Sequence, residues 1–448
     1  MKLSSKEFNK KYNLNEKMLQ NSLVRHVPKA NLQFNNAAGK PKKLLNEILK
    51  RYFSTWFFSL ALVVFLAVLI FSIVISLTSK YSSSTSINNT SGLTYTLLDG
   101  KTQIGTSNRT ASLPPVFNPF VNLTLGSSGI SQQVYNNSVT LWNSDSYFHG
   151  LVYKTVFNPD NTSVRLEDGN LYVNAYSFYK ADSISIILAQ SQQRGLIAKD
   201  LTQDQVLSYI EEIKRLNPQI NLSTYLGTNS AGVDVWTSSW VGTWNAIRLA
   251  VIVSFIQTMI GVFIGAYLGF HHAGSLLDTI AMRIISIITS PPTLIWLLIA
   301  SSIFGTFDLT LAITLIVVGW PGSVGITRLY IITVKDSDFI QASRLVGASK
   351  IRLILRHALP AIVGKIANSF VASIPSIILS VSALAFLGFF KGNTANLGSI
   401  LSSAPSEAGT NIWILVLPVG ILLSISLSLQ FIALGVHDSL DPKVIRGK

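Results

Sequence analysis

The densest set of residues able to do chemistry is cationic. DFIQASRLVGASKIRLILRHALP, at 338–360, places Arg344, Lys350, Arg352, Arg356 and His357 between long apolar runs in a chain otherwise poor in charge. A set of this kind binds. Either a basic amphipathic helix lies on anionic lipid, or a short helix pair presents a face to a protein groove. Catalytic sets are not found beside it. The chain has no cysteine, which excludes a thiolate metal site and a cysteine nucleophile. His149 stands apart from any acid or nucleophile and reads as a surface or hydrogen-bonded structural histidine. No GxxxxGK[ST] phosphate loop occurs. No catalytic residue, metal site or cofactor is therefore expected.

The elements that position these cations follow from spacing. Phe339, Ala342, Ser343 and Val346 share one face of a first helix; Gly347-Ala348 breaks it, and Ser349 caps a second. In the second helix Ile351, Ile354, Leu355 and Ala358 recur at helical spacing, with Leu353 off that face. Arg352 and Arg356 flank the stripe on one side, Lys350 and His357 on the other. Pro360, which lacks an N–H, is expected to stop the second helix.

Composition sets the surroundings. With 48% hydrophobic and 12% charged residues, the chain is expected to be an α-helical integral membrane protein. The net charge of +14 does not point to nucleic acid, because the basic residues gather beside apolar spans rather than on a soluble face. Residues 1–52 carry twelve Lys or Arg against three Glu, whereas 79–236 carry ten basic and eleven acidic side chains. That asymmetry places the N-terminus in the cytoplasm.

Six segments suffice to span a bilayer, near 53–78, 249–270, 284–305, 309–328, 366–390 and 412–436. The first is expected to be a retained anchor rather than a signal peptide. Alternation puts 79–245 outside, 329–365 inside and the C-terminus inside. Pro291-Pro292, Pro321, Pro375 and Pro418 interrupt the spans, as in helices that line a pathway. No acid or base is expected at mid-depth; Arg248 and Arg328 lie at span ends and are assigned to snorkelling. An ion-coupled carrier would need such a group, so the energy source is expected elsewhere.

Between the first two spans lies a polar insert that reads as an extracytoplasmic α+β domain. LTYTLL at 93–98 and LYVNAYSFY at 171–179 alternate as strands do, with turn signals at Asp99-Gly100, Asn158-Pro159 and Asp168-Gly169. Thr202 and Gln205 form a capping box before VLSYIEEIKRL, and Asn217-Pro218 ends that helix. The sequons at Asn108 and Asn122 are attributed to an Asn- and Ser-rich composition. The expected organisation is a basic region at 1–52, a first span at 53–78 and the insert at 79–240. A permease core at 241–437 carries a cytoplasmic loop at 334–362, and a tail at 438–448 ends the chain.

Gln341-Ala342-Ser343, then Gly347-Ala348 and Leu359-Pro360, resembles the EAA loop of membrane subunits of ATP-binding-cassette importers. There Glu-Ala-Ala is followed at fixed spacing by Gly and then Pro. Here the spacing from Gly347 to Pro360 is kept, while Gln341 and Ser343 depart from the pattern. LGTNSAGVDV at 226–235 is similar to the LGTDxxGRDV stretch of the dipeptide, oligopeptide and nickel permeases, with Asn229 for Asp and Val233 for Arg. FLGF at 386–389, NLGSIL at 396–401 (Leu397 for Trp) and DSLDPK at 438–443 resemble that branch's C-type subunit.

The resemblance covers the first span and about 225–448, and it implies six spans of the type I importer permease kind. It implies a non-enzymatic subunit in the cell membrane, with a B-type second permease, two cytoplasmic ATPases and an external binding protein as partners. Gln341, Ala342, Ser343, Gly347, Ala348, Ile351, Ile354, Leu355 and Pro360 would form the coupling loop, with Arg344, Lys350, Arg352 and Arg356 as its basic flanks; oligopeptides or dipeptides would be the cargo, with nickel or another small solute as the alternative. The rival from another class is a membrane-anchored sensor or assembly protein.

Overall fold

The computed structural model describes residues 44–87, 93–105, 112–123, 130–144, 149–158, 163–198, 201–390, 395–409 and 411–440. Most of the basic region at 1–52, the sequon at Asn108 and the end of the DSLDPK signature lie outside them. The chain divides into two units, residues 1–54 and 55–448. In the first, α1 (Leu44–Ser54) is a short amphipathic helix with Arg51 in its last turn.

Among the described residues of the second unit, five helices are long and apolar enough to cross a membrane. α2 (Trp56–Thr78) is apolar on every side, as suits a helix facing lipid. The next is α7 (Val235–Tyr267), begun by the N-cap Asp234 and continued by a π turn at Leu268–His272. It starts inside the range 79–240 assigned to the insert. α10 (Asp308–Val334) and α15 (Trp413–Leu440) are single helices containing Pro321 and Pro418.

The expected span 284–305 differs: it is two helices, α8 (Leu276–Thr289) and α9 (Thr293–Phe304), bent by 69°. Pro291 and Pro292 remove two consecutive donors, so the ladder cannot pass through them. Either piece, at about 20 Å, is too short for a hydrocarbon core of about 30 Å.

The insert builds its own apolar core from residues between Tyr95 and Ile220, centred on Trp142, Phe157 and Phe178. β1 (Leu93–Thr96) and β2 (Thr102–Gly105) form a hairpin turned by Asp99-Gly100. β3 (Phe120–Asn122), β4 (Val164–Glu167) and β5 (Asn170–Asn174) form an antiparallel sheet in the order β3-β5-β4. Asp168 and Gly169, both at positive φ, make the β4–β5 turn. Among the helices are α3 (Gln132–Ser144), α4 (His149–Val152, extended by a π turn at Tyr153–Phe157), α5 (Ala175–Gln193) and α6 (Gln203–Leu216).

The strand expected over 171–179 ends at Asn174. Its side chain accepts from Tyr176 N and Ser177 N, and α5 begins there. α5 is buried on all sides, so it has no polar face and no helical period to betray it. α6 has its capping box: Thr202 N donates to Gln205 Oε1 at 2.9 Å.

Candidate coupling site

Three glycines decide how closely the supporting helices approach. On α7 and the π turn that continues it, Gly261, Gly265 and Gly269 face α10. A Cβ at Gly261 would stand 2.3 Å from Ser323 Cβ, and one at Gly265 2.6 Å from Val324 O. Small residues four apart let two membrane helices meet backbone to backbone. Beside this contact Arg328 of α10 donates from Nε and Nη2 to Asp278 at 2.6 and 2.5 Å, and Gly274 N donates to the same carboxylate. Snorkelling is therefore not what holds Arg328. A paired carboxylate fixes it, and the pair joins the start of α8 to α10. Arg248 also has a partner, Asp308, at 3.3 Å on the protein surface.

The stretch 338–360 begins with α11 (Asp338–Leu345). The helix ends in a Schellman arrangement: Gly347 N donates to Arg344 O and Ala348 N to Ser343 O, with Gly347 at φ 89°. Ser349 then caps the next helix by accepting from Arg352 N. The helix, break and second helix expected from spacing are thus present.

The ending is not as expected. α12 (Lys350–Leu353) passes through a π turn at Ile354–Ala358 into α13 (Leu359–Phe386), and Pro360 sits in the first turn of α13. The wide turn shifts the pairing register just before the residue that lacks a donor, so Pro360 does not stop the helix. Lys350–Phe386 forms a continuous helix of 37 residues.

Burial divides the stretch into two sides. Ile340, Leu353, Ile354 and Ala358 are buried against Ala266 of α7 and Ile331 of α10, with Phe270 and Val334 packed around them. Leu345 and Val346 are each 89% exposed, and Phe339, Ile351 and Leu355 also face outward. The single stripe expected over 351–358 is therefore split. Leu353, placed off the face, is buried; Ile351 and Leu355 are not. The π turn adds a residue to one turn and rotates the two flanking segments relative to each other, which a constant helical period cannot anticipate.

The polar residues are exposed or self-bonded. Gln341 Nε2 donates to Asp336 O, and Ser343 Oγ donates to Phe339 O, each within its own helix or the turn before it. Lys350, Arg352 and Arg356 are exposed, and among the described residues none forms an ion pair. Arg344 lies over the Phe270 ring at 6.0 Å. Ala342, Ser343, Val346, Gly347, Ala348, Arg352 and His357 line a groove of about 410 Å³. Such a site is able to dock a surface that is apolar at its centre and acidic at its rim.

Sequence reasoning missed the glycine stripe and the Asp278–Arg328 pair. GxxxGxxxG at 261–269 was available as a signal. The ion pair, 50 residues apart, had none.

Residues 240–446 match the family described as binding-protein-dependent transport system inner membrane component. The oligopeptide transport system permease protein OppC of Mycoplasma pneumoniae is 39% identical over 232 residues, which is 50% of this chain and 61% of that protein. OppC of Escherichia coli K12 is 29% identical over 38% of this chain and 57% of its own. The dipeptide transport system permease protein DppC of Haemophilus influenzae is 30% identical over 38% and 58%. The chain thus spans about three fifths of the length of these relatives. A chain of the MetNI methionine ABC transporter in an inward-facing conformation is similar at a TM-score of 0.38 and 18% identity, over 44% of this chain and 94% of that one. Over residues 240–446 this multi-pass, mostly helical protein is similar to binding-protein-dependent transport system inner membrane components, and its relatives include permease proteins named for oligopeptide and dipeptide transport systems.

Proposed function

We propose that the chain is a permease subunit of an ATP-driven importer for oligopeptides or dipeptides, lying in the cell membrane with both termini in the cytoplasm and 79–240 outside. It is not an enzyme in this scheme. It forms half of the translocation pathway with a B-type permease, while two cytoplasmic ATP-binding subunits hydrolyse ATP and an external binding protein delivers cargo. The type I arrangement of spans belongs to the same proposal. The observation that carries it is the two-sided build of 338–360: one side is wedged between α7 and α10, the other offers Leu345, Val346, Ile351 and Leu355 beside Lys350, Arg352 and Arg356, which form no ion pair among the described residues.

The mechanism rests on that build. When ATP closes the two ATPases, the groove holding 338–355 moves and carries α11 and α12 with it. α12 runs into α13 without a break, a lever of about 55 Å at 1.5 Å per residue, so the displacement reaches the span itself. The buried side pushes on α7 and α10, and the Asp278–Arg328 pair makes α8 follow α10. Moving a two-state element from mostly one form to mostly the other needs roughly 5.5 kcal/mol of differential binding. Packed apolar contacts supply that more readily than exposed, solvent-screened cations.

The test uses the assembled complex in proteoliposomes. Leu345→Asp with Val346→Asp is expected to leave the chain inserted and folded while ATP hydrolysis no longer drives peptide uptake. Normal coupled uptake by that variant, or failure of the chain to purify with two ATP-binding subunits, sinks the proposal.

A further inference from the structure

Where α2 ends and α7 begins, a cavity of about 370 Å³ is used by no step above. Asp234 lines it and is only 2% exposed. One carboxylate oxygen accepts from Thr237 N at 2.8 Å as the N-cap of α7, but among the described residues no Lys, Arg or His forms an ion pair with it. A carboxylate removed from water needs a cation or loses its charge, and burial already pushes Asp234 above the usual carboxylate range.

The walls suit a cation on a larger, partly apolar molecule. Tyr225 and Trp236 line the cavity with their ring centroids 5.8 Å apart; aromatic rings attract ammonium groups. Tyr81 adds a phenol that accepts from Ser223 N at 2.8 Å. Lys80 stands exposed on the rim, available to an anion. Part of the wall, Ile75 and Thr78, is the last turn of α2, whose exposed side carries Phe71, Val74 and Leu77 down the span. A site at the end of an apolar span, among Trp and Tyr, lies at the level of lipid headgroups.

We propose that this cavity holds the headgroup of a zwitterionic phospholipid, with its ammonium against Asp234 and the Tyr225 and Trp236 rings, its phosphate at Lys80 and its acyl chains along the exposed face of α2. The continuity with that face favours a lipid over a soluble zwitterion, which would leave the chain-sized apolar strip unused.

The full chain, purified in detergent, is equilibrated with phosphatidylethanolamine, phosphatidylcholine and phosphatidylglycerol of identical acyl chains, and retained lipid is read by native mass spectrometry. The two zwitterionic lipids are expected to be retained about ten-fold over phosphatidylglycerol, as befits one charge-assisted contact. Asp234→Asn preserves the cap, because Asn caps as well as Asp, and is expected to abolish that preference. Lys80→Gln is expected to weaken retention of all three lipids. Should Asp234→Asn not accumulate, the wild-type chain carries the test alone: its preference must vanish as the pH is lowered and the carboxylate, held above its ordinary range by burial, takes up a proton. Equal retention of the three lipids by the wild-type chain overturns the proposal, as does a preference unchanged in Asp234→Asn. Displacement of lipid by glycylglycine at equal concentration overturns it too, in favour of a soluble zwitterion.

Discussion

Two regions join membrane helices to something else, and they are built in opposite ways. At 224–234 the insert meets the start of α7 through directional bonds: Leu113 and Thr228 exchange two, at 2.7 and 2.9 Å, and Tyr176 donates to Pro114 O while sharing a hydroxyl contact with Thr224. Asn411 donates to Leu226 O, and Ser230 donates twice to Glu407, which ties the same loop to α14 (Leu397–Glu407). At 338–360 the chain is instead held by an apolar wedge, and half of its apolar residues face away from the protein. Hydrogen bonds tolerate little displacement before they fail, whereas an apolar contact slides and re-forms. The first region is made to keep its geometry. The second leaves part of its apolar surface facing outward.

Four substitutions separate the two designs. The largest effect is expected from Leu353→Ala, which empties the wedge and costs about 2–5 kcal/mol. It should lower the thermal transition of the full chain in detergent and leave protease resistance of the insert unchanged. Gly227→Ala strikes the other region. At φ 79° and with a Cβ only 2.3 Å from Leu113 O, it should cost about 1–3 kcal/mol and expose the insert to proteolysis while the spans stay protected.

Tyr176→Phe deletes the hydroxyl's contacts with Pro114 O, Thr224 O and Thr224 Oγ1 in the same seam, at about 1 kcal/mol. It also tests pH dependence. Burial pushes the Tyr176 hydroxyl up to about 12, so the folded state keeps the neutral form while the unfolded chain ionises from about pH 10. The seam is therefore at full strength below that point and weakens up to about pH 12. The variant should show a smaller alkaline loss. Ile351→Ser is the smallest in stability, within about 0.5 kcal/mol for an exposed site; in proteoliposomes holding the whole complex it should still reduce uptake per ATP. An equal loss of stability in Ile351→Ser and Leu353→Ala would erase the distinction between the two sides of the loop.

Legibility tracked the range of the cause. The Schellman stop at Gly347, the cap at Ser349, the capping box at Thr202 and the turns at Asp99-Gly100 and Asp168-Gly169 involve neighbours within a few residues, and each was readable as a string. α5 was not, because a helix wrapped by the apolar core that runs from Tyr95 to Ile220 has no polar face to give it a period. The outward turn of Ile351 and Leu355 was not either. A single extra residue in the turn 354–358 re-aims that surface, and no composition signal marks it.

By itself the sequence determined a chain of apolar spans, their charge asymmetry, the helix breaks at Gly347 and Pro291-Pro292, and the resemblance carried by 338–360. Those depend on hydrophobic length, charge and backbone chemistry, all local quantities. Only the tertiary structure decided that Pro360 continues a helix, that Arg328 is paired with Asp278, and that Ile354 is buried while Ile351 is offered outward. Each depends on what stands on the far side of the residue, and the far side comes from segments up to about a hundred residues away.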